Sequence, residues 1–314
     1  MQSLANSRGF GSDLFVVTSI MSMYGKCGDI RQAEDLFSTT SCRDHDVVCW
    51  NAMLTAYVDN SQGEKALLLY RQMQEIGMYP PTHQTIVVAL QACGMLVSDH
   101  KESGMILEIG EGLHSFARNN RILSHVFVHT TLVSMYGKCG AIAEAENVFV
   151  SLNQCDIVSW NVMLSIYTEQ QERPETAFQL YIQMQREGIC PDQWTFAIML
   201  HACASFSCNV SDTSTFRFQE EGVPIDMSSK SVKSVSLDIG QALHADARKK
   251  GCMSDILVGN TLVHLSGKCG TIQQAETMFV GLSERDLVTW NVMLSAYIDQ
   301  GQAVKALQLY LKLQ

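Results

Sequence analysis

Three octapeptides of this chain are near copies of one another: WNAMLTAY at 50–57, WNVMLSIY at 160–167 and WNVMLSAY at 290–297. Two further blocks recur with them in a fixed order. SMYGKCG at 22–28 returns unchanged at 134–140 and as HLSGKCG at 264–270, and LEIGEGLH at 107–114 returns as LDIGQALH at 237–244. Internal repetition constrains the fold more than any local motif, because a unit too short to bury its own apolar face must stack on its neighbours.

The WNxML block shows how each unit is built. Trp50, Met53, Leu54 and Tyr57 fall at helical spacing, Asn60-Ser61-Gln62-Gly63 interrupts it, and Ala66, Leu67, Leu69, Tyr70 and Met73 resume it. Gly77 and Pro80-Pro81 close the second helix, as Gly188 and Pro191 do in the next copy. In the GKCG block one helix carries Ile20, Met21 and Tyr24 and the next carries Ala33, Leu36 and Phe37. Gly25 is expected at the left-handed position that ends the first, with Lys26 complementing the dipole. These are αα-hairpins, and the fold they predict is all-α, a solenoid with a concave inner face.

GKCG could suggest other chemistry, but the spacing excludes it. A phosphate loop needs G-x-x-x-x-G-K-[ST]; here Cys27, Cys139 and Cys269 follow the lysine, and Ile20, Leu132 and Leu262 stand where the first glycine belongs. Zinc needs paired ligands, and each copy supplies one cysteine, so no metal or cofactor is expected. These cysteines read as small packing residues, as do Cys93 and Cys203. Eleven cysteines suit free, buried thiols in a reducing compartment. No apolar run is long enough to span a membrane, and residues 1–13 do not read as a targeting leader. A net charge of −10 is unlike that of a generic nucleic-acid binder. Extra residues near 94–105, and a serine-rich stretch without periodicity near 205–236, are expected to be loops between paired helices.

Trp50, Met53, Tyr57, Ala66 and Tyr70 follow the tetratricopeptide register, but Leu54, Leu164 and Leu294 occupy its small-residue position. The alternation of VFVHTTLVSMYGKCGAIAEAENVF, DIVSWNVMLSIYTEQ and QWTFAIMLHACA with LDIGQALHADARKKG instead resembles pentatricopeptide repeat proteins of the PLS subclass. That resemblance implies a right-handed α-solenoid. It divides the chain into a partial L repeat 1–13, S 14–46, P 47–82, L 83–125, S 126–156, P 157–192, L 193–255, S 256–286 and a partial P repeat 287–314. Both ends fall inside repeats, as in a fragment.

The resemblance also implies a function: binding of single-stranded RNA, with the fifth residue of a repeat's first helix and the last residue of that repeat choosing the base. The matching pairs are Thr18 with Asp46, Asn51 with Thr82, Thr130 with Asp156, Asn161 with Asp192 and Asn260 with Asp286, and Asn291 opens a further one. Thr with Asp implies G, Asn with Asp implies U, and Asn51 with Thr82 a pyrimidine. Second-position Phe15, Val48, Phe127, Val158, Leu257 and Val288 would sandwich the bases, and Lys26, Lys138 and Lys268 would approach phosphate. A plain alternative stands beside each reading. The aspartates are good helix N-caps, the asparagines could be packing amides, the second-position residues could be core, and the lysines could serve the dipole. Val87 with His125 and Ala197 with Asp255, in the L repeats, translate into no base.

The resemblance further implies a mitochondrion or chloroplast, and processing or C-to-U editing of RNA. The joint deaminase signature, H-x-E followed by P-C-x-x-C, is absent from the chain, where H-x-E stands alone as His100-Lys101-Glu102, so no catalysis is expected of it. A deaminase or other processing factor would act in trans, and neither a membrane nor a small-molecule substrate is expected. The competing class is a protein-binding scaffold of tetratricopeptide type, which the acidity favours and the alternating register opposes.

Overall fold

Each recurring block folds as a pair of helices. The computed structural model describes residues 14–39, 46–97, 103–151, 155–169, 174–209, 232–252, 255–270 and 272–313, and no strand occurs among them. The chain divides into two compact units, Met1–Gln154 and Cys155–Gln314. The first contains α1 (Leu14–Cys27), α2 (Ile30–Thr39), α3 (Val47–Asp59), α4 (Gly63–Ile76), α5 (His83–Leu96), α6 (Ser103–Asn119), a 3₁₀ turn (Ile122–Ser124), α7 (Val126–Lys138) and α8 (Ile142–Val150). The second contains α9 (Ile157–Glu169), α10 (Pro174–Arg186), α11 (Gln193–Asn209), α12 (Val232–Lys249), α13 (Ile256–Cys269), α14 (Ile272–Gly281), α15 (Leu287–Asp299) and α16 (Ala303–Leu313).

Within each unit the odd-numbered helices pack on one another, α1 on α3, α3 on α5 and α5 on α7, then α9 on α11, α11 on α13 and α13 on α15. Each even-numbered helix packs on its hairpin partner, and α2, α4, α6, α10, α12 and α14 also pack on the first helix of the next hairpin. The core therefore runs as a seam between two layers. Trp50, Met53, Leu54, Trp160, Met163 and Leu164 of the WNxML blocks lie in it, each at most 1% exposed. Of the two long insertions, the flanks are helical: α11 continues to Asn209 and α12 starts at Val232, while 210–231 lies outside the described residues, as do 98–102 and the partial repeat 1–13.

GKCG differs from the sequence expectation in one respect. Gly25 does not end α1; it lies buried inside a helix that continues to Cys27. The left-handed turn falls on Gly28 (φ +80°) and Gly140 (φ +75°), and Gly270 is extended instead. Gly25 is small because α3 crosses there: a Cβ on it would stand 2.6 Å from the Cβ of Ala56. Gly267 meets Ala296 in the same way at 2.7 Å. Each of these last-turn glycine carbonyls also accepts from a side-chain amide of the crossing hairpin. Asn60 Nδ2 donates to Gly25 O at 2.7 Å and Gln300 Nε2 to Gly267 O at 3.0 Å.

The thiols are graded by the same packing. Cys93, Cys203 and Cys269 are buried and Cys139 half-buried, but Cys27, at the last residue of α1, is exposed, against expectation. Burial pushes the Cys93 thiol up to about 12 and raises that of Cys203 as well. Since the thiolate is the reactive form, a maleimide should label Cys27 and Cys190 promptly in the native protein, and Cys93 and Cys203 only after unfolding. Mass spectrometry of the labelled peptides reads the order, and equal rates at all four would contradict it.

Candidate nucleic-acid interface

Positions 2, 5, 9 and 13 of a first helix lie on one face, since they are three or four residues apart. The structure opens the second position to solvent, while at the fifth Asn51 and Asn260 are only 4% and 7% exposed. Phe15 is 80% exposed, Phe127 78%, and Val48, Val158 and Val288 each 54%, so these five are not core residues; Leu257 is half-buried. One cleft in the first unit is lined by Phe15, Thr18, Lys26, Asp46 and Val48. In the second unit another is lined by His264, Lys268, Val288, Asn291 and Asp299. The first has apolar walls, a floor of Thr18 and Asp46 and Lys26 at one end, an arrangement that can take a flat heteroaromatic ring beside an anion; the second sets Lys268 against Asp299.

The floor is built by helix capping. Each pair's last residue stands just before the next first helix and caps it. Asp46 Oδ1 accepts from Cys49 N at 2.9 Å, Asp156 Oδ1 from Ser159 N at 2.9 Å, Asp192 Oδ1 from Thr195 N at 2.8 Å and Asp286 Oδ1 from Thr289 N at 2.7 Å. Thr82 completes a capping box with Thr85. The Thr289 amide and hydroxyl hold the Asp286 carboxyl below the usual carboxylate range, so it stays an acceptor at neutral pH.

The fifth-position residues reach these caps from the helix before. Asn51 Nδ2 donates to Thr82 Oγ1 at 3.3 Å, Asn161 Nδ2 to Asp192 Oδ1 at 3.1 Å and Asn260 Nδ2 to Asp286 Oδ1 at 3.3 Å. In these three repeats the asparagine and the cap are hydrogen-bonded, so that capping and pairing form one arrangement. Thr18 is turned differently: its hydroxyl donates to Leu14 O at 2.7 Å and touches Cys49 Sγ at 3.0 Å. Thr130 donates to Val126 O at 3.0 Å; it belongs to the first unit and Asp156 to the second, each described within its own. Asn291 is exposed.

This face can be compared with known proteins. The sequence model of the PPR repeat family matches residues 45–94 and 155–205, and that of the PPR repeat matches 15–39, 127–157 and 288–314. Together they cover more than half of the chain. It belongs to the PPR repeat family. From Arabidopsis thaliana, the chloroplastic pentatricopeptide repeat-containing protein At4g18520 is 31% identical over 100% of this chain and 44% of its own length. The mitochondrial At3g02330 is 29% identical over 98% of this chain and 32% of its own. The chain thus spans less than half the length of these relatives. Among solved structures, the crystal structure of the pentatricopeptide repeat protein PPR10 in complex with an 18-nt psaJ RNA element matches 98% of this chain and 46% of that one, with a TM-score of 0.55 and 17% identity. At that identity the likeness shows the fold, an α-solenoid of PPR hairpins.

The PPR lysines are not equivalent. Lys26 and Lys138 are exposed, the stem of Lys138 running beside Gly94. Lys268 makes an ion pair with Asp299 at 3.0 Å, which offsets part of the charge it could offer a phosphate. Two features of the PPR surface escaped the sequence reading. Trp194, second in its repeat, is 57% exposed on the same face as the valines, and the register alone could have found it. Thr85, Thr195 and Thr289, third in their helices, are fully buried beneath the pairs, and their only signal is their distance of three from the cap.

Proposed function

We propose that this chain binds single-stranded RNA one base per P or S repeat, as a PLS-type PPR protein, and gives site specificity to RNA processing or C-to-U editing in a mitochondrion or chloroplast. The observation that carries this is the meeting of Asn161 with Asp192 and Asn260 with Asp286 at hydrogen-bond distance on the face that also exposes the second-position residues. A fixed amide beside a carboxylate offers donors and acceptors to a base edge, and exposed apolar neighbours offer stacking surface. The RNA-bound likeness of PPR10 supports the same reading, and the chloroplastic and mitochondrial relatives support the compartment. Any chemistry on the RNA would come from a deaminase or other factor in trans.

Read from Thr18/Asp46 onwards, the repeats assign the register 5′-G, pyrimidine, unread, G, U, unread, U. Binding at fixed salt, followed by fluorescence anisotropy, should favour an RNA with this register over one with both G positions changed to C. Asn161→Ala and Thr130→Ala should each weaken binding to the matched RNA by about 1 kcal/mol, roughly fivefold, the size of one base contact. Few contacting lysines make the salt dependence shallow. Equal, feeble binding to both RNAs would sink the proposal and leave a protein-binding scaffold, which the net charge of −10 favours.

A further inference from the structure

An asparagine amide is nearly symmetric in shape and opposite in chemistry at its two ends, so its hydrogen-bond partners alone decide which end faces a base. That orientation carries information. Uracil presents an acceptor beside an N–H donor, whereas cytosine presents an acceptor beside an amino donor in the reverse order. An amide free to turn over matches either base; an amide held one way round matches one of them in a given pose.

Two of the pairs are held from both ends. Asn161 Nδ2 donates to Asp192 Oδ1 at 3.1 Å, and Asn161 Oδ1 accepts from Thr195 Oγ1 at 2.7 Å. Thr195 Oγ1 also lies 2.9 Å from Asp192 Oδ1 and accepts from Asp192 N at 3.2 Å; its one proton serves one oxygen at a time, and the contact to Asn161 is the shorter. Asn51 repeats the circuit. Thr85 Oγ1 donates to Asn51 Oδ1 at 2.7 Å while accepting from Thr82 N at 3.0 Å. The third pair is wired differently from the same residue types. Thr289 Oγ1 donates to Asp286 Oδ1 at 2.8 Å, and the buried Asn260 Oδ1 has no partner among the described residues. The spacing explains the difference: 31 residues separate Asn51 from Thr82 and Asn161 from Asp192, and 26 separate Asn260 from Asp286.

We infer that Thr195 is a positioning residue for base choice: it pins the amide of the preceding repeat's Asn161, so that this repeat separates U from C, and Thr289 lacks this role; Thr85 holds Asn51 in the same way, beside a threonine in place of the carboxylate. The inference rests on the RNA reading above. Thr195 need not touch the RNA, since it is 0% exposed beneath the asparagine it holds. Specificity at this repeat then belongs to three residues, the third contributed by the next helix.

The experiment compares Thr195→Val, Thr195→Ser and Thr289→Val with the wild-type chain, on RNAs carrying U or C opposite Asn161 or Asn260. Both valine variants lose the same capping hydroxyl, and thermal melts record that cost. Thr195→Val should lower the U-over-C ratio opposite Asn161 about threefold to tenfold, the size of one hydrogen bond. Thr195→Ser should restore it, and Thr289→Val should leave the ratio opposite Asn260 unchanged. A Thr195→Val chain that binds both RNAs more weakly in the same proportion would overturn the inference, as would equal loss of discrimination in the two valine variants. A wild-type chain with no base preference at either position would overturn the RNA reading, and the inference with it.

Discussion

Trp50→Ala is expected to lower the unfolding free energy by about 3–5 kcal/mol, the range for large aromatic residues in cores that relax only partly. Trp50 is 1% exposed and meets Phe37 edge-on at 5.1 Å and 81°, so its ring joins the second helix of one hairpin to the first helix of the next. Trp290 and Phe279 make the same contact at 5.2 Å and 79°. The cavity could close only by moving α2 towards α3, against the rest of the packing between them. A shift in urea midpoint at constant slope measures the loss. Hairpins contact only their neighbours, so amide exchange should accelerate in α1 to α4 well before it does in α13 to α16. A loss below about 1 kcal/mol would be inconsistent with a close-packed site.

Gly25→Val should be the second most damaging change, at about 1–3 kcal/mol for an overpacked contact. The added Cβ would stand 2.6 Å from Ala56 Cβ, and backbone lies next to it at 3.1 Å, so no flexible side chain can give way. Pushing α3 off α1 would also part Thr18 from Cys49, which now touch at 3.0 Å. Base preference at the first G should therefore fall along with the melting temperature. Gly28→Ala provides the contrast: it faces open space apart from Asn60 Oδ1 at 3.6 Å. Its cost comes from the left-handed φ of +80°, about 1–2 kcal/mol for a residue with a Cβ, and base preference should survive. If Gly25→Val melts like the wild-type protein, the close crossing of α1 and α3 is wrong.

These two glycines show how the sequence reading went partly astray. Both were legible as parts of a connector, because glycine after an apolar helical run is a common stop. Which one turns the chain and which one admits a neighbour is not a local property. Gly25 is small for the sake of Ala56, 31 residues away, and only the packed pair of helices reveals that. Cys27 teaches the same lesson from the other side: GKCG gave its three cysteines one packing role, yet their burial differs because their neighbours do. The asparagines are a third case. Capping and base choice stood as alternatives for the aspartates in the sequence, and in the structure one carboxylate oxygen of Asp192 accepts both from the helix it caps and from the Asn161 amide.

Periodicity and turn residues by themselves determined that the chain is a series of helical hairpins. That is a short-range consequence of a 3.6-residue turn and of the few residues that can end it. Contacts across 26 to 34 residues were decided only by the tertiary structure. It alone placed the threonines beneath the asparagines, joined Lys268 to Asp299, and left Asn260 Oδ1 buried without a partner among the described residues. Such contacts depend on how deeply one hairpin seats on the next, and a difference of five residues in repeat length is enough to rewire the same three side chains.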